Sequence, residues 1–249
     1  MTDAPNGAPQ VATAEIRIDD VLRRSYEILS RNFSIFAALA AVMWLPYLVE
    51  ILRHFGQTAE DVRGNLPGLF LSVILAAIFP AFGETAIVYA ALQIVRDRPV
   101  AIGESLQKAL GRVLPVIGLT FLVGFAVVIG LILLVIPAFY VMTIFFFVLP
   151  VCVEENLDAI GSMERSLALT KGYRWKIFAI TILVWVASGI VAVILGAAAK
   201  LGGALAHNLV ISAWNAVSGT FYGIVAVVIY RDIRVFSDAI AAPPAPASG

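Results

Sequence analysis

Charged residues are scarce in this chain of 249 residues, where they make up 14% of the sequence. A typical soluble domain carries about 25%, so these charges cannot cover the surface of a soluble globule. The 17 basic and 17 acidic residues balance, which argues against a nucleic-acid-binding domain. The single cysteine, Cys152, excludes an intramolecular disulfide framework. No G-x-S-x-G, H-E-x-x-H or P-loop motif occurs, so the familiar hydrolase and nucleotide-binding patterns are missing.

Apolar residues dominate instead, at 61% of the chain, and the mean hydropathy is +0.94. A helix needs roughly 20 apolar residues to cross about 30 Å of hydrocarbon. The run 113–153 has 41 residues and no charge, which is enough for two crossings with a turn at Pro137. We therefore predict an all-α, six-span helical membrane protein. Its predicted spans are 32–49, 64–95, 113–136, 138–153, 177–199 and 208–230.

Basic residues predict the orientation of these spans, because cytoplasmic loops are enriched in lysine and arginine. With the amino terminus inside, 14 of the 17 basic residues fall in inner segments and 3 in outer ones. A single crossing over 113–153 would move the basic segment 165–176 outside, so the same rule favours two crossings. We expect a multi-pass protein with both termini inside.

Two tails flank the predicted membrane domain, which covers residues 15–238. Residues 1–14 are small and polar and contain no apolar stretch, so we expect a disordered tail and not a cleaved signal peptide. Residues 239–249 are rich in alanine and proline and are also predicted to be disordered. The predicted outer loops are short, so no exported domain is expected.

Amphipathic segments precede each predicted hairpin of two spans, at residues 18–31, 101–112 and 158–171. Apolar residues share one helical face in each segment, which is typical of a helix in the cytoplasmic interface. Short identities recur, such as Arg24-Ser25 and Arg165-Ser166. A threefold parallel repeat explains them, and so does the common physics of amphipathic helices that precede spans. The first segment has predicted i,i+4 ion pairs at Asp19–Arg23, Asp20–Arg24 and Glu27–Arg31.

The segment 150–180 carries the most informative pattern in the chain. A proline ends a span, a glutamate follows, and an R-S-x-x-L-T-x-G-x-x-W sequence comes next. The pattern resembles the membrane domain attached to some bacterial glycerophosphoryl diester phosphodiesterases, and related stand-alone uncharacterised inner-membrane proteins. The resemblance covers residues 15 to 230 approximately. The matching residues are Pro137, Pro150, Glu154, Arg165-Ser166, Leu169-Thr170, Gly172 and Trp175, with SYEILSRNF at 25–33.

This resemblance implies a bacterial inner (cytoplasmic) membrane and a membrane domain whose own activity the family does not define. The family's phosphodiesterase chemistry lies in a separate soluble barrel with catalytic histidines and metal-binding carboxylates. This chain has no room for that barrel and only 2 histidines. We therefore expect no enzymatic activity, no cofactor and no metal.

Glu84 is the one acidic residue deep within a predicted span. It lies 12 residues before Arg96, which places it about 18 Å from the cytoplasmic end and near the midplane. An ionisable side chain at that depth is a candidate functional site, here the titrating carboxylate of a transporter. The alternative is a protonated glutamate with a structural hydrogen bond to Thr120, Ser188 or Asn215.

The remaining polar candidates have structural interpretations beside chemical ones. Glu154 and Glu155 form a carboxylate pair that suits a metal or acid–base site, or that simply ends a span at the interface. His54 and His207 share a metal only if the fold brings them together, and are otherwise incidental. Cys152 has no close basic neighbour and is expected to pack as a small hydrophobe.

A basic cluster with a tryptophan lies at the start of the fifth predicted span. Such residues bind anionic lipid head groups, or serve only to set topology. We expect a non-enzymatic, lipid-interacting or partner-organising protein, with membrane lipids as partners, no nucleic acid, and a homo-oligomer or another protein as further options. The alternative is a small-molecule or ion transporter or channel that uses Glu84. The candidate head-group contacts are Arg165, Lys171, Arg174, Trp175 and Lys176.

Overall fold

The chain folds into helices, as the composition predicts. The structure, a computed structural model, describes residues 16–53, 66–133 and 135–241, and these ranges contain no strand. The all-α class is therefore confirmed. The helices are α1 (Ile18–Arg31), α2 (Phe33–Arg53), α3 (Leu66–Val95), α4 (Ile102–Gly111), α5 (Val113–Leu133), α6 (Val135–Ile144), α7 (Val148–Glu154), α8 (Ala159–Leu169), α9 (Arg174–Ala199) and α10 (Gly203–Ala241), with a 3₁₀ turn at Lys200–Gly202.

Four stretches of the described chain are long and apolar enough to cross a membrane. A fifth results if α1 and the first half of α2, which meet at 88°, form one bent span. The 63-residue stretch that ends at Phe236 contains α9 and most of α10, and these two helices pack against each other. These lengths are compatible with a multi-pass membrane protein. The four stretches are Ile78–Val95, Val113–Leu133, Pro137–Glu154 and Arg174–Phe236.

The turn predicted at Pro137 is wrong, because the two helices meet about three residues earlier. α5 ends at Leu133 and α6 begins at Val135, so Pro137 lies in the first turn of α6. Proline is tolerated there because the first N–H groups of a helix have no partner within the helix. At the other end, α10 continues to Ala241, beyond the predicted boundary at residue 238. Residues 239–241 of the predicted disordered tail 239–249 are therefore helical, and that part of the prediction is wrong. Residues 242–249 and the predicted tail 1–14 lie outside the described residues.

Two of the three ion pairs predicted in α1 are replaced by others. Asp20 lies 2.9 Å from Arg24, as predicted. Arg23 instead takes both carboxylates within one turn of it, Asp20 at 2.8 Å and Glu27 at 3.3 Å. Hydrogen bonding to Arg23 lowers the pKa of Asp20. The pairs not formed among the described ion pairs are Asp19–Arg23 and Glu27–Arg31.

The fold consists of three similar units, each a short helix followed by a pair of long ones. The units are α1–α3, α4–α7 and α8–α10, where α6 and α7 together take the place of one long helix. The short helix of each unit packs on the last helix of another unit: α4 on α3, α8 on α7 and α1 on α10. The last of these contacts closes the three units into a ring. This cyclic order favours the repeat over the alternative of unrelated amphipathic helices.

Equivalent arginines support the repeat. Arg24 of α1 pairs with Asp232 of α10 at 2.5 Å, and Arg165 of α8 pairs with Glu155 at the end of α7 at 3.0 Å. Each arginine thus reaches the last helix of the neighbouring unit. The next residue in each helix is a serine with no exposed surface. The recurring Arg-Ser dipeptide therefore occupies the same place in two units.

The inner layer of the ring is formed by α3, α7 and α10, which pack against one another. Residues 224–230 of α10 are all buried, so this helix is covered on every side. Ile87 of α3 and Phe147 before α7 are fully buried in the same cluster. The core is therefore densest near the ends of these three helices, which we refer to as the inner helices.

A break separates α6 from α7 inside an otherwise apolar stretch. Pro150 has no N–H to donate to the Phe146 carbonyl, and its ring clashes with that position in a regular helix. Ser166 of α8, which is fully buried, bridges the break. Its hydroxyl donates to the Ile144 carbonyl at 2.9 Å and accepts from the Phe147 N–H at 3.1 Å. A neighbouring side chain thus replaces helical hydrogen bonds that water does not supply within a membrane.

Candidate functional site

Glu84 lines a cavity of about 310 Å³ between α3, α5, the α6–α7 break and α10. Most of the lining is apolar, and Phe145, Phe146 and Tyr222 contribute aromatic rings. Thr120, one of the predicted partners, lines the same cavity. Within the described part of the chain, however, the Glu84 carboxylate makes no hydrogen bond and no ion pair. This space is referred to below as the Glu84 cavity.

A second cavity of about 440 Å³ lies between α6, α9 and α10. Its polar lining includes Ser188, Asn215 and Ser218. Tyr222 and Met142 line both cavities and therefore stand between them. Ser188 and Asn215, the other two predicted partners of Glu84, thus belong to a different space.

Glu84 and Tyr222 lie at a similar depth in the bundle. Glu84 is 12 residues before Arg96, and Tyr222 is 12 residues before Arg234. Both arginines lie near Glu154 at the same end of the inner helices. The two cavity residues are therefore each about 18 Å from that end. The matching offset from a terminal arginine was the available sequence signal for Tyr222, which we did not predict.

Charged side chains on or directly after four helices, α3, α7, α8 and α10, meet where the inner helices end. Glu154 pairs with Arg96 and lies 3.8 Å from Arg234. Glu155 lies 3.0 Å from Arg165 and 3.4 Å from Arg234. The Tyr230 hydroxyl donates to Glu155 at 3.0 Å and accepts from Arg234 at 2.8 Å. The arginine–carboxylate cluster is defined as Arg96, Glu154, Glu155, Arg165, Tyr230 and Arg234.

This cluster gives Glu154 and Glu155 a structural role. Their side chains are 9% and 16% exposed, and a carboxylate at such a site needs its charged partners. They also end α7, as one of the two interpretations predicted. A second tie lies nearby, where hydrogen bonding to Asp232 raises the pKa of Arg24. Together these contacts hold α1 and α8 to the inner helices.

The structure divides the five predicted head-group contacts into two sets. Arg165 belongs to the arginine–carboxylate cluster. Arg174 donates to the Tyr140 hydroxyl at 2.5 Å, and its guanidinium carbon lies 5.4 Å from the centre of that ring. Both arginines therefore make intramolecular contacts. The other three residues, Lys171, Trp175 and Lys176, are exposed.

Those three residues form one surface at the junction of α8 and α9, the lysine–tryptophan surface. Trp175 is 84% exposed and packs edge-to-face with Phe178, with ring centres 6.0 Å apart. Lys171 and Lys176 lie on either side of it in the sequence, and neither makes an ion pair with any acidic residue in the described ranges. The surface thus presents two free ammonium groups beside an indole ring.

The other candidates are placed by packing. Cys152 is fully buried, as predicted for a small hydrophobe. His207 Nδ1 lies 3.0 Å from the Gly196 carbonyl oxygen and joins the start of α10 to the end of α9. His54 lies outside the described residues. Across residues 16–53, 66–133 and 135–241, no group of three or more His, Cys, Asp or Glu side chains is placed to hold a metal ion.

The geometry therefore offers a ligand two distinct places, the Glu84 cavity and the lysine–tryptophan surface. Fold alone does not define function, which must be argued from such sites. Comparison with protein-family models, with curated proteins and with solved structures finds no match for this chain.

Proposed function

We propose that this chain is a non-enzymatic multi-pass membrane protein that binds anionic lipid head groups at its cytoplasmic face. The observation that carries the proposal is the lysine–tryptophan surface. Its two ammonium groups have no acidic partner in the described structure, and its tryptophan is 84% exposed. Tryptophan is enriched where a membrane meets water. The same surface suits the organisation of lipids around the protein or of a partner at the leaflet.

The topology that we propose has six spans in three hairpins, with both termini inside. Three units of two long helices each support it, counting α6 and α7 as one. The distribution of basic residues, 14 inside against 3 outside, supports the orientation. The short helices then lie at the cytoplasmic interface. The resemblance to phosphodiesterase-associated membrane domains favours a bacterial inner membrane.

Cysteine labelling tests this orientation. In a C152S background, a cysteine at Lys200 is expected to react with an impermeant maleimide added to intact cells. A cysteine at Glu164, which is also exposed, is expected to react only after the membrane is opened. The reverse pattern would refute the proposed orientation, and labelling of both from outside would refute the membrane crossings between them.

Head-group binding follows from the chemistry of the lysine–tryptophan surface. A lysine ammonium is a compact charge on a flexible stem, so it can meet a phosphate while its methylene groups remain in the apolar layer. Near an anionic membrane surface each lysine contributes about 1 kcal/mol, so the two together contribute about thirtyfold in affinity. Arg174 helps to hold the surface in place, because it ties the start of α9 to Tyr140.

Native mass spectrometry of the protein released gently from its own membrane tests the proposal. The wild-type protein is expected to retain an anionic phospholipid in a fixed ratio. The double variant K171Q/K176Q is expected to lose it at matched collision energy. Lys200→Gln, an exposed lysine at the opposite end of α9, is the matched control and should retain it. Equal retention by K171Q/K176Q and wild type would overturn the assignment.

A further inference from the structure

The Glu84 cavity contains a carboxylate that has no role in the proposed lipid site. A carboxylate about 18 Å from the cytoplasmic end lies far from the polar head groups. At that depth an ionised group needs a partner of opposite charge, or it takes up a proton. Of the described residues that line the cavity, none is basic. The described lining thus supplies no cation to the carboxylate.

The walls of the cavity have the chemistry that recognises an organic cation. Three aromatic side chains, Phe145, Phe146 and Tyr222, share the space with the carboxylate. The face of an aromatic ring attracts a cation, most strongly where water is excluded. Met142 adds a flexible, polarisable wall. A carboxylate beside aromatic rings favours a cation with an apolar body over a hydrated metal ion, which prefers several oxygen ligands.

The size of the cavity and the break beside it are consistent with a ligand site. Its volume of about 310 Å³ is far above that of one water molecule and lies at the lower end for small-molecule pockets. The interrupted helix α6–α7 supplies part of the lining. Irregular backbone at membrane depth is tolerated where it is buried in protein or borders such a cavity, and Ser166 secures the break from the far side.

We propose that the Glu84 cavity binds a small organic cation, an amine or a quaternary ammonium with an apolar body, whose charge pairs with the Glu84 carboxylate. The aromatic rings hold the apolar body. This site is independent of the lysine–tryptophan surface, since the two lie on different elements. A variant that loses lipid retention should therefore still bind the cation, and a variant that loses cation binding should still retain the lipid.

Calorimetric titration of the full chain in nanodiscs of zwitterionic lipid tests the proposal, with benzyltrimethylammonium as the probe and empty nanodiscs as background. The wild-type protein is expected to bind the probe at one site. Glu84→Gln keeps the shape of the side chain and removes its charge, so binding should weaken at least tenfold. Glu164→Gln, at an exposed position outside the cavity, is the matched control and should bind as wild type does.

Two further measurements separate a charged site from a merely apolar one. Neopentylbenzene, in which carbon replaces the probe's nitrogen, is expected to compete at least tenfold less well than the probe itself. Gly124→Phe fills the cavity and leaves Glu84 in place, because a side chain added at Gly124 meets no atom within 4 Å at its Cβ. It should also abolish binding, and it decides the matter if Glu84→Gln does not fold.

Three results would overturn the cation site. The first is wild-type protein that binds no probe, which leaves a protonated structural glutamate. The second is that Glu84→Gln binds the probe as tightly as the wild type does. If Glu84→Gln does not fold, the corresponding result is that Gly124→Phe binds the probe as tightly as the wild type does. The third is equal competition by neopentylbenzene, which identifies an apolar void without charge recognition.

Discussion

Removal of the Ser166 hydroxyl is expected to destabilise the protein far more than removal of the hydroxyl of Ser162 or Ser25. The hydroxyl spans the α6–α7 break, where it donates to the Ile144 carbonyl and accepts from the Phe147 N–H. Ser166→Ala leaves both backbone groups without this partner in a site that has no exposed surface. Each buried group left unpaired costs about 1–3 kcal/mol, so the free energy of unfolding should fall by about 2–6 kcal/mol.

Two other fully buried serines provide matched controls. The Ser162 hydroxyl donates to the Asp158 carbonyl at 2.6 Å, but that carbonyl also accepts from the Ser162 N–H at 3.0 Å. Ser162→Ala therefore leaves the Asp158 carbonyl paired and should cost below about 1 kcal/mol. The Ser25 hydroxyl is buried without a hydrogen-bond partner in the described structure. Ser25→Ala should consequently be neutral or stabilising, since it removes an unsatisfied polar group.

Cys152 provides the assay, because it is the single cysteine of the chain and is fully buried. A thiol-reactive dye reports unfolding of the purified protein in mild detergent as the temperature or the dodecyl sulfate fraction rises. The expected order of stability is Ser25→Ala, then Ser162→Ala, then Ser166→Ala. A Ser166→Ala protein as stable as Ser25→Ala would refute the idea that this hydroxyl sustains the break.

Two further substitutions test other contacts by the same assay. Glu155→Gln weakens the arginine–carboxylate cluster and should lower the free energy of unfolding by about 1–3 kcal/mol, less than for a fully buried pair. Glu164 is exposed, so Glu164→Gln should change the free energy of unfolding by less than about 0.5 kcal/mol. Equal effects of Glu155→Gln and Glu164→Gln would contradict the stabilising role of the cluster. Gly130→Val should separate α5 from α6, because a Cβ there lies 2.7 Å from Ala138 Cα. Gly124→Val is the control, because a Cβ at Gly124 has open space, and it should unfold at the same temperature as the wild type. If Gly130→Val also unfolds at that temperature, the close approach of α5 and α6 at Gly130 is unimportant for stability.

The sequence was informative wherever the physics is local. Long runs without charge predict the long helices, because each side chain's preference for water or an apolar environment can be read from the sequence. Amphipathic patterns predict the short helices in the same way, at 18–31, 101–112 and 158–171. The turn between α5 and α6 was misplaced because proline suits both a turn and the first turn of a helix. Pro137 alone does not distinguish the two.

Features that depend on tertiary proximity escaped the sequence analysis. Glu155 and Arg234 are far apart in the chain, and the packing of α7 against α10 brings them to 3.4 Å. Arg165 was predicted as a head-group contact because the sequence does not show how the chain turns after α7, which brings Arg165 to 3.0 Å from Glu155. Glu84 was identified because a charge inside an apolar run is conspicuous. Tyr222 beside its cavity was not, because an aromatic residue in such a run is ordinary.

The closure of the ring has a consequence for biosynthesis. The first unit emerges from the ribosome before α10 exists, yet Val21, Phe36 and Leu39 belong to the same buried cluster as Ile224 and Ile229. Their final partners are therefore missing while the middle unit is being made and inserted. The interface that α1 and α2 make with α10 therefore stays incomplete until α10 has been synthesised.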